Sequence, residues 1–198
     1  MTIEKVLLAA EPRLAEILWQ HCAAKRCCCT RTVLPTGADI WRIATTLQVS
    51  PESFLRPSPA PSAHGFALDQ AQPLVYPALA RRALSSQHAP CVFLLQLGDQ
   101  ASRCGINPIR PLPCQSFPAV SLAGKFDVDA AHGCTCRSWS LAEIDRERAS
   151  ALLRQEAEER ERYHEVMRAW NAAVALTKRR YTFGNVCRYV LEMYESTE

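Results

Sequence analysis

The sequence predicts a mainly α protein of the α+β class, with a small β-hairpin, a long C-terminal helix and irregular cysteine-rich loops organised by metal. Three observations lead there. Between Gly133 and Gly184 neither glycine nor proline occurs, while apolar residues recur at helical spacing. One compact apolar run, Cys91-Val92-Phe93-Leu94-Leu95, is followed by the turn pair Gly98-Asp99. Ten cysteines are present, nearly all confined to two stretches rich in turn residues. A thiol that merely packs behaves as a small apolar group and has no reason to cluster.

At 198 residues and 22.1 kDa the chain is long enough to bury a core without staples. The change of style near Gly133 divides it into residues 1–139, a cysteine-cluster domain, and 140–198, a helical extension packed on it. A net charge of +3, with no basic run interleaved with aromatics, argues against nucleic acid as a partner. No window approaches the roughly 18–20 apolar residues of a membrane span. The start, Met1 to Glu11, has an apolar stretch too short and too acidic at its flanks for a signal peptide. The expected location is therefore a reducing cytoplasm, where structural disulfides are rare. That shifts the reading of the cysteines toward metal, with disulfides and plain buried or redox thiols as the alternatives.

Taken in order, Ile3 to Ala10 reads as a short helix, and Pro12 opens a second that carries Leu14, Ile17 and Leu18 and ends near Cys22. Thr36 caps the next helix, with Asp39 three residues on at its positive end. Ile40, Ile43, Ala44 and Leu47 form that helix's apolar face. Ser50-Pro51 repeats the device and opens a short turn through Phe54. Arg56 to Ser62, with three prolines in seven residues, reads as a loop or linker. Ala71 to Leu84 reads as helical after Pro73. Cys91 to Leu95 is a buried strand, with Arg103 to Ile106 as its hairpin partner. Pro108, Pro111, Pro113 and Pro118 predict an extended, irregular path around Cys114. The long helix follows, its apolar stripe being Leu141, Ile144, Leu152, Tyr163, Val166, Met167, Trp170 and Val174. Its middle, Arg154 to Arg162, is almost wholly charged. Val186, Cys187, Val190, Leu191 and Tyr194 mark a last amphipathic helix in which Cys187 packs.

Thiolate is the softest side-chain ligand, and four of them suit zinc or an iron–sulfur cluster. The spacings here are Cys22-x4-Cys27-Cys28-Cys29, Cys91-x12-Cys104-x9-Cys114 and Cys134-x-Cys136. None is a regular zinc-finger or ferredoxin spacing. Neighbouring side chains point in different directions, so Cys28 and Cys29 have different roles: one ligates while the other packs, or each faces a different metal. Prolines beside Cys91 and Cys114 stiffen the backbone and reduce the entropy lost when loops close on an ion.

Two blocks of residues resemble a known family. Cys22…Cys28-Cys29, Leu34-Pro35-Thr36-Gly37-Ala38-Asp39-Ile40 and Ser50-Pro51-Glu52-Ser53-Phe54-Leu55 resemble the first block of the YkgJ-type cysteine-cluster family, described as a zinc- or iron-chelating CxxCxxCC domain. Its second block, C-x-F-L, then C-x-I, then R-P-x-x-C closed by an aromatic-proline pair, is matched by Cys91 to Leu94, Cys104 to Ile106 and Arg110 to Pro118. The likeness runs from Cys22 to about Cys114, with a weaker extension to Trp139. It implies a metal, an iron–sulfur cluster of the 4Fe-4S kind or Zn2+, in a family whose reactions are mostly unknown. A related cluster in flagellin lysine-N-methylases makes a protein-modifying role conceivable. This chain departs from the family's first motif, commonly C-x2-C-x2-C-C, since four residues separate Cys22 from Cys27, so either Cys22 or Cys27 fills the family position. The ligands implied are Cys28 or Cys29, Cys91, Cys104 and Cys114, then Cys22, with Cys134 and Cys136 completing the set.

His132 beside Cys134 and His21 beside Cys22 are lesser ligand candidates; His64, His88 and His164 are weaker still. Arg110 reads first as a residue that satisfies loop carbonyls, and second as a donor to sulfur or substrate. Trp41, Trp139 and Trp170 read as core or shielding residues. No G-x-G-x-x-G, Walker A, G-x-S-x-G, H-E-x-x-H or radical-type C-x3-C-x2-C run occurs. The leading expectation is a metal-binding protein without an assigned reaction. The alternatives are a redox or protein-modifying enzyme using the cluster, and a zinc-stabilised interaction module that offers the charged C-terminal helix to a protein partner.

Overall fold

The computed structural model describes residues 31–61, 63–82, 90–97, 101–122, 124–129 and 140–196. The two predicted N-terminal helices lie outside these residues. The architecture is mainly α with small antiparallel hairpins, as the sequence predicts, and it ends in a long helix and a shorter one. Chain contacts divide the described residues into two compact units. One takes residues 31–33 and 81–156; the other takes 34–80 and 157–196.

In the second unit, helix α1 (Gly37–Leu47) begins as expected at Thr36. The cap is reciprocal: the Asp39 amide donates to Thr36 Oγ1 at 3.3 Å, and the Thr36 amide donates to Asp39 Oδ2 at 3.0 Å. Ile40, Ile43, Ala44 and Leu47 are all buried, so the predicted face is the packed one. Pro51 is the first residue of the short 3-10 turn Pro51–Ser53.

The next segment corrects the sequence. Residues 56–62 were expected as loop and 71–84 as helix. Instead strand β1 (Leu55–Pro59) pairs antiparallel with strand β2 (Val75–Leu79). The register explains how a strand tolerates so many prolines. Pro57 faces Pro77 and Pro59 faces Val75, alternate pairs in which no amide is needed between the strands. The Val75 amide is directed to Phe66 O on the other side, at 3.0 Å. Pro77, which would break a helix, fits a two-stranded ribbon whose edge lacks a neighbour's demand for its missing N–H.

Helix α4 (Phe183–Glu195) is capped reciprocally by Thr182 and Asn185 and packs on α1. Val186, Cys187, Val190 and Tyr194 are its buried residues. Tyr163, Val166, Met167, Trp170 and Val174, on the long helix α3 (Arg146–Thr177), are buried in the same unit. Phe66 sits against the Tyr163 and Trp170 rings. Residues 65–70 are fastened to α3 by polar contacts: Asn171 Nδ2 donates to Gly65 O, Trp170 Nε1 donates to Ala67 O and Gln70 Nε2 donates to Ala175 O.

The first unit holds two more hairpins. Strands β3 (Leu94–Leu97) and β4 (Ala101–Cys104) form the one predicted, although the ladder begins three residues after Cys91. Strands β5 (Ala119–Leu122) and β6 (Lys125–Val128) form one the sequence did not suggest. Gly124 turns between them at φ +77°, a conformation glycine adopts without penalty. Phe117, Ala119, Ile144 and Ala149 make this unit's core, flanked by Phe126, Val128, Leu152 and Leu153. The path around Cys114 is also corrected. Asn107–Ile109 is a 3-10 turn and Leu112–Ser116 is the short helix α2, where irregular extended chain was expected. Prolines belong in the first turn of a helix, because the amides they lack there have no helical partner anyway.

Candidate metal centre

Cys91, Cys104 and Cys114 all lie in the first unit, each half-buried. The β3–β4 hairpin explains why two of them share an end. The Leu94 amide donates to Cys91 O at 3.0 Å, closing a turn at the start of β3, and Leu94 faces Cys104 across the ladder. The Gly105 amide then donates to Phe93 O at 2.8 Å, carrying the pairing one step past Cys104. The open end of the hairpin therefore sets Cys104 opposite Leu94, the residue that closes the turn begun at Cys91, although the two cysteines are thirteen positions apart in sequence. On its other side Cys91 forms a backbone bridge with Arg81, supported by the Arg82 amide donating to Pro90 O at 2.9 Å.

Cys114 sits in the middle of α2. Its amide donates to Pro111 O at 2.8 Å, and Gln115 Nε2 donates to Arg110 O at 2.6 Å, so the R-P-x-x-C run is folded on itself. Arg110 Nε donates to Asn107 O at 3.2 Å, the loop-satisfying role that the sequence suggested first.

The first described residues after the cysteine run, Arg31 and Thr32, are held by these same segments. Arg31 Nη2 donates to Pro113 O at 2.8 Å, one residue before Cys114. The Arg31 guanidinium lies 4.7 Å from the centre of the Phe117 ring and 4.0 Å from Asp129 Oδ2. Arg81, the bridge partner of Cys91, donates from Nη2 to Thr32 Oγ1 at 3.1 Å. Asp129 is itself anchored, its amide donating to Pro118 O at 2.8 Å, and it precedes Cys134 by five residues. Sequence reasoning passed over Arg31, Thr32, Arg81 and Asp129. Arg31 and Thr32 had only their closeness to Cys29 as a signal and Arg81 and Asp129 had none, since no local pattern distinguishes an arginine that clamps from one that is solvated.

Among the described residues, no three histidine, cysteine, aspartate or glutamate side chains are grouped to hold a metal. Cys22, Cys27, Cys28, Cys29, Cys134 and Cys136 lie outside those residues, as do His21, His88, His132 and Trp139. Cys187 belongs to the other unit and is buried there, as its helical spacing predicts. Burial pushes its thiol up to about 12, helped by the nearby Glu52 charge, so it is a neutral packing group. His64 and His164 also lie in that unit, their rings stacked 3.9 Å apart. Burial, and then the neighbouring His64, hold His164 below the ordinary imidazole range. Trp170 is buried and bonded to a backbone carbonyl, a core residue.

Comparison of the chain with protein-family models, curated proteins and solved structures gives no match.

Proposed function

We propose that this protein binds a metal through cysteine thiolates, as an iron–sulfur cluster or as zinc, in a reducing cytoplasm. The observation that carries the reading is the meeting of cysteine-flanking segments in one unit. Residues 31 and 32, just after the run Cys27-Cys28-Cys29, are bonded to residues next to Cys114 and to the bridge partner of Cys91. Cys104 shares the hairpin end with Cys91. The segments at residues 31–32, 81–91, 104 and 113 are thus tied by contacts that do not themselves involve a thiol.

The donor chemistry fits the group. Half-buried thiols next to rigid proline-flanked turns are accessible to an ion yet partly shielded from water. Cys91, Cys104 and Cys114 would supply ligands from the hairpin and α2, with Cys28 or Cys29 from the run, then Cys22, Cys134 and Cys136. When bound, the metal would supply either a redox-active cluster or a structural cross-link. The protein's own residues hold the loops in place, and their carbonyls are already engaged by Arg31, Arg110 and Gln115. No helix among the described residues is long and apolar enough to cross a membrane.

Anaerobic purification with metal and sulfide analysis tests the proposal. A brown protein with broad visible absorption and stoichiometric iron and sulfide identifies a cluster; a colourless protein with stoichiometric zinc identifies the alternative. Cys104→Ser and Cys114→Ser should each lower the metal content, whereas Cys187→Ser should leave it unchanged. A metal-free wild-type protein, purified anaerobically, would refute the reading.

A further inference from the structure

We propose that the stacked His64–His164 pair is an acid-sensitive latch, which closes the segment leading into Phe66 onto α3 while at most one ring is charged and releases it when both are. The pair lies in the unit that lacks Cys91, Cys104 and Cys114, so the proposal stands apart from the metal reading. The two rings are 3.9 Å apart and within 11° of parallel. His164 comes from α3, its side chain only 16% exposed, and His64 from the exposed chain just before Gly65. Gly65 is packed so closely that a Cβ there would lie 2.8 Å from the Ala60 Cβ and 2.9 Å from that of Leu74. Next in the chain come Phe66, fully buried against the Tyr163 and Trp170 rings, and Ala67, whose amide donates to Asn171 Oδ1 at 2.8 Å.

Two neutral imidazoles can share a stacked contact, and a single imidazolium still attracts the face of a neutral ring. Two positive rings at this spacing repel by an amount equal to roughly a fivefold change in an equilibrium, even at the dielectric of water. The charged groups around His164 leave that repulsion largely in place. Glu161 Oε2 lies 3.7 Å from His164 Nδ1, but that carboxylate is exposed and already engaged by Arg168 at 3.2 Å. Arg160, whose Nη1 donates to Tyr76 Oη on β2 at 3.3 Å, adds positive charge. Burial first, then His64, hold His164 below its ordinary value of 6.5. A group depressed in this way gives stability that is present above that value and is lost as pH falls through the folded one. Opening therefore takes up protons, and acid favours it.

Amide hydrogen exchange of the full chain between about pH 7.5 and about pH 5 tests the latch, with rates corrected for the intrinsic effect of pH. The Phe66 and Ala67 amides, bonded to Val75 O and Asn171 Oδ1, report on the segment, and the Ile43 amide of α1 is the control. Beside the wild type stand His64→Phe, which keeps a ring for the stack but takes no proton, and His64→Gln, which has neither ring nor charge. On acidification, protection at Phe66 and Ala67 should fall about 5-fold further in the wild type than in either variant, with Ile43 unchanged. By NMR, His164 should titrate at higher pH in both variants than in the wild type. Equal falls in the three proteins, an unmoved His164 titration, or a fall at Ile43 as large as at Phe66 would each overturn the proposal. So would unchanged protection in the wild type down to about pH 5, the result expected of rings that simply turn into solvent.

Discussion

Asp39 is fully buried, and each carboxylate oxygen has a partner. Oδ2 accepts from the Thr36 amide, and Oδ1 accepts from Arg42 Nη2 at 2.6 Å. A buried charge persists only when hydrogen bonds replace the water it has lost. Asp39→Ala should therefore cost about 1–3 kcal/mol of stability, read from the urea midpoint, and Thr36→Val about 1 kcal/mol. Cys187 makes the opposite case. Its thiol ordinarily ionises near 9.0, and in the folded protein at about 12. The folded state thus favours the protonated thiol. Its contribution to stability is complete below the unfolded value and is lost as pH rises through the folded one. The urea midpoint should fall between pH 9 and 12 more steeply in the wild type than in Cys187→Ala. Cys187 should also resist alkylation at pH 8 until the chain unfolds. Equal pH profiles for the two proteins would exclude this role.

Helix α1 shows how one residue sets the spacing between elements. Gly37 opens the helix where the Tyr194 ring of α4 lies so close that a Cβ would overlap the ring atoms. Tyr194 is buried and Arg162 stacks over its ring at 4.9 Å, so the ring has little room to retreat. Gly37→Ala should cost about 1–3 kcal/mol through overpacking, despite alanine's better helix propensity. A Tm equal to or above that of the wild type would contradict the packing described. The α1 and α4 helices were legible in advance because an amphipathic period of 3.6 is a local signal, joined in α1 by the Thr36 cap. The β1–β2 hairpin was not. Its prolines argue locally for a loop, and only the register, which turns Pro57, Pro59 and Pro77 away from the ladder, reconciles them with a strand.

The whole chain interleaves its two units. Residues 34–80 and 157–196 build one, while 81–156 with 31–33 build the other. The buried partners of α4 include α1, more than a hundred residues away in sequence. A fragment of residues 140–198 is therefore expected to show no cooperative thermal transition by circular dichroism, although it contains both α3 and α4. The metal proposal also has a consequence at this scale. If binding ties the cysteine segments together, its free energy is part of the folding free energy. Chelation under anaerobic conditions should then lower the Tm of the full chain by several degrees, and readdition of the metal should restore it. An unchanged Tm after verified metal removal would assign the metal no structural role.

By itself the sequence determined the helical class, the apolar faces of α1 and α4, that of α3 from Tyr163 to Val174 (Leu141, expected to begin the α3 stripe, lies before the helix and is exposed), the β3–β4 hairpin and the packing role of Cys187. All of these follow from periodicity and from turn or cap residues, which act over a few positions. The tertiary structure alone decided that prolines pair into β1–β2, that Cys114 rides on a short helix, and that Arg31, Thr32, Arg81 and Asp129 tie the cysteine-flanking segments together. Those outcomes depend on partners distant in sequence, and a hydrogen bond or a stacked ring leaves no periodic trace in either partner.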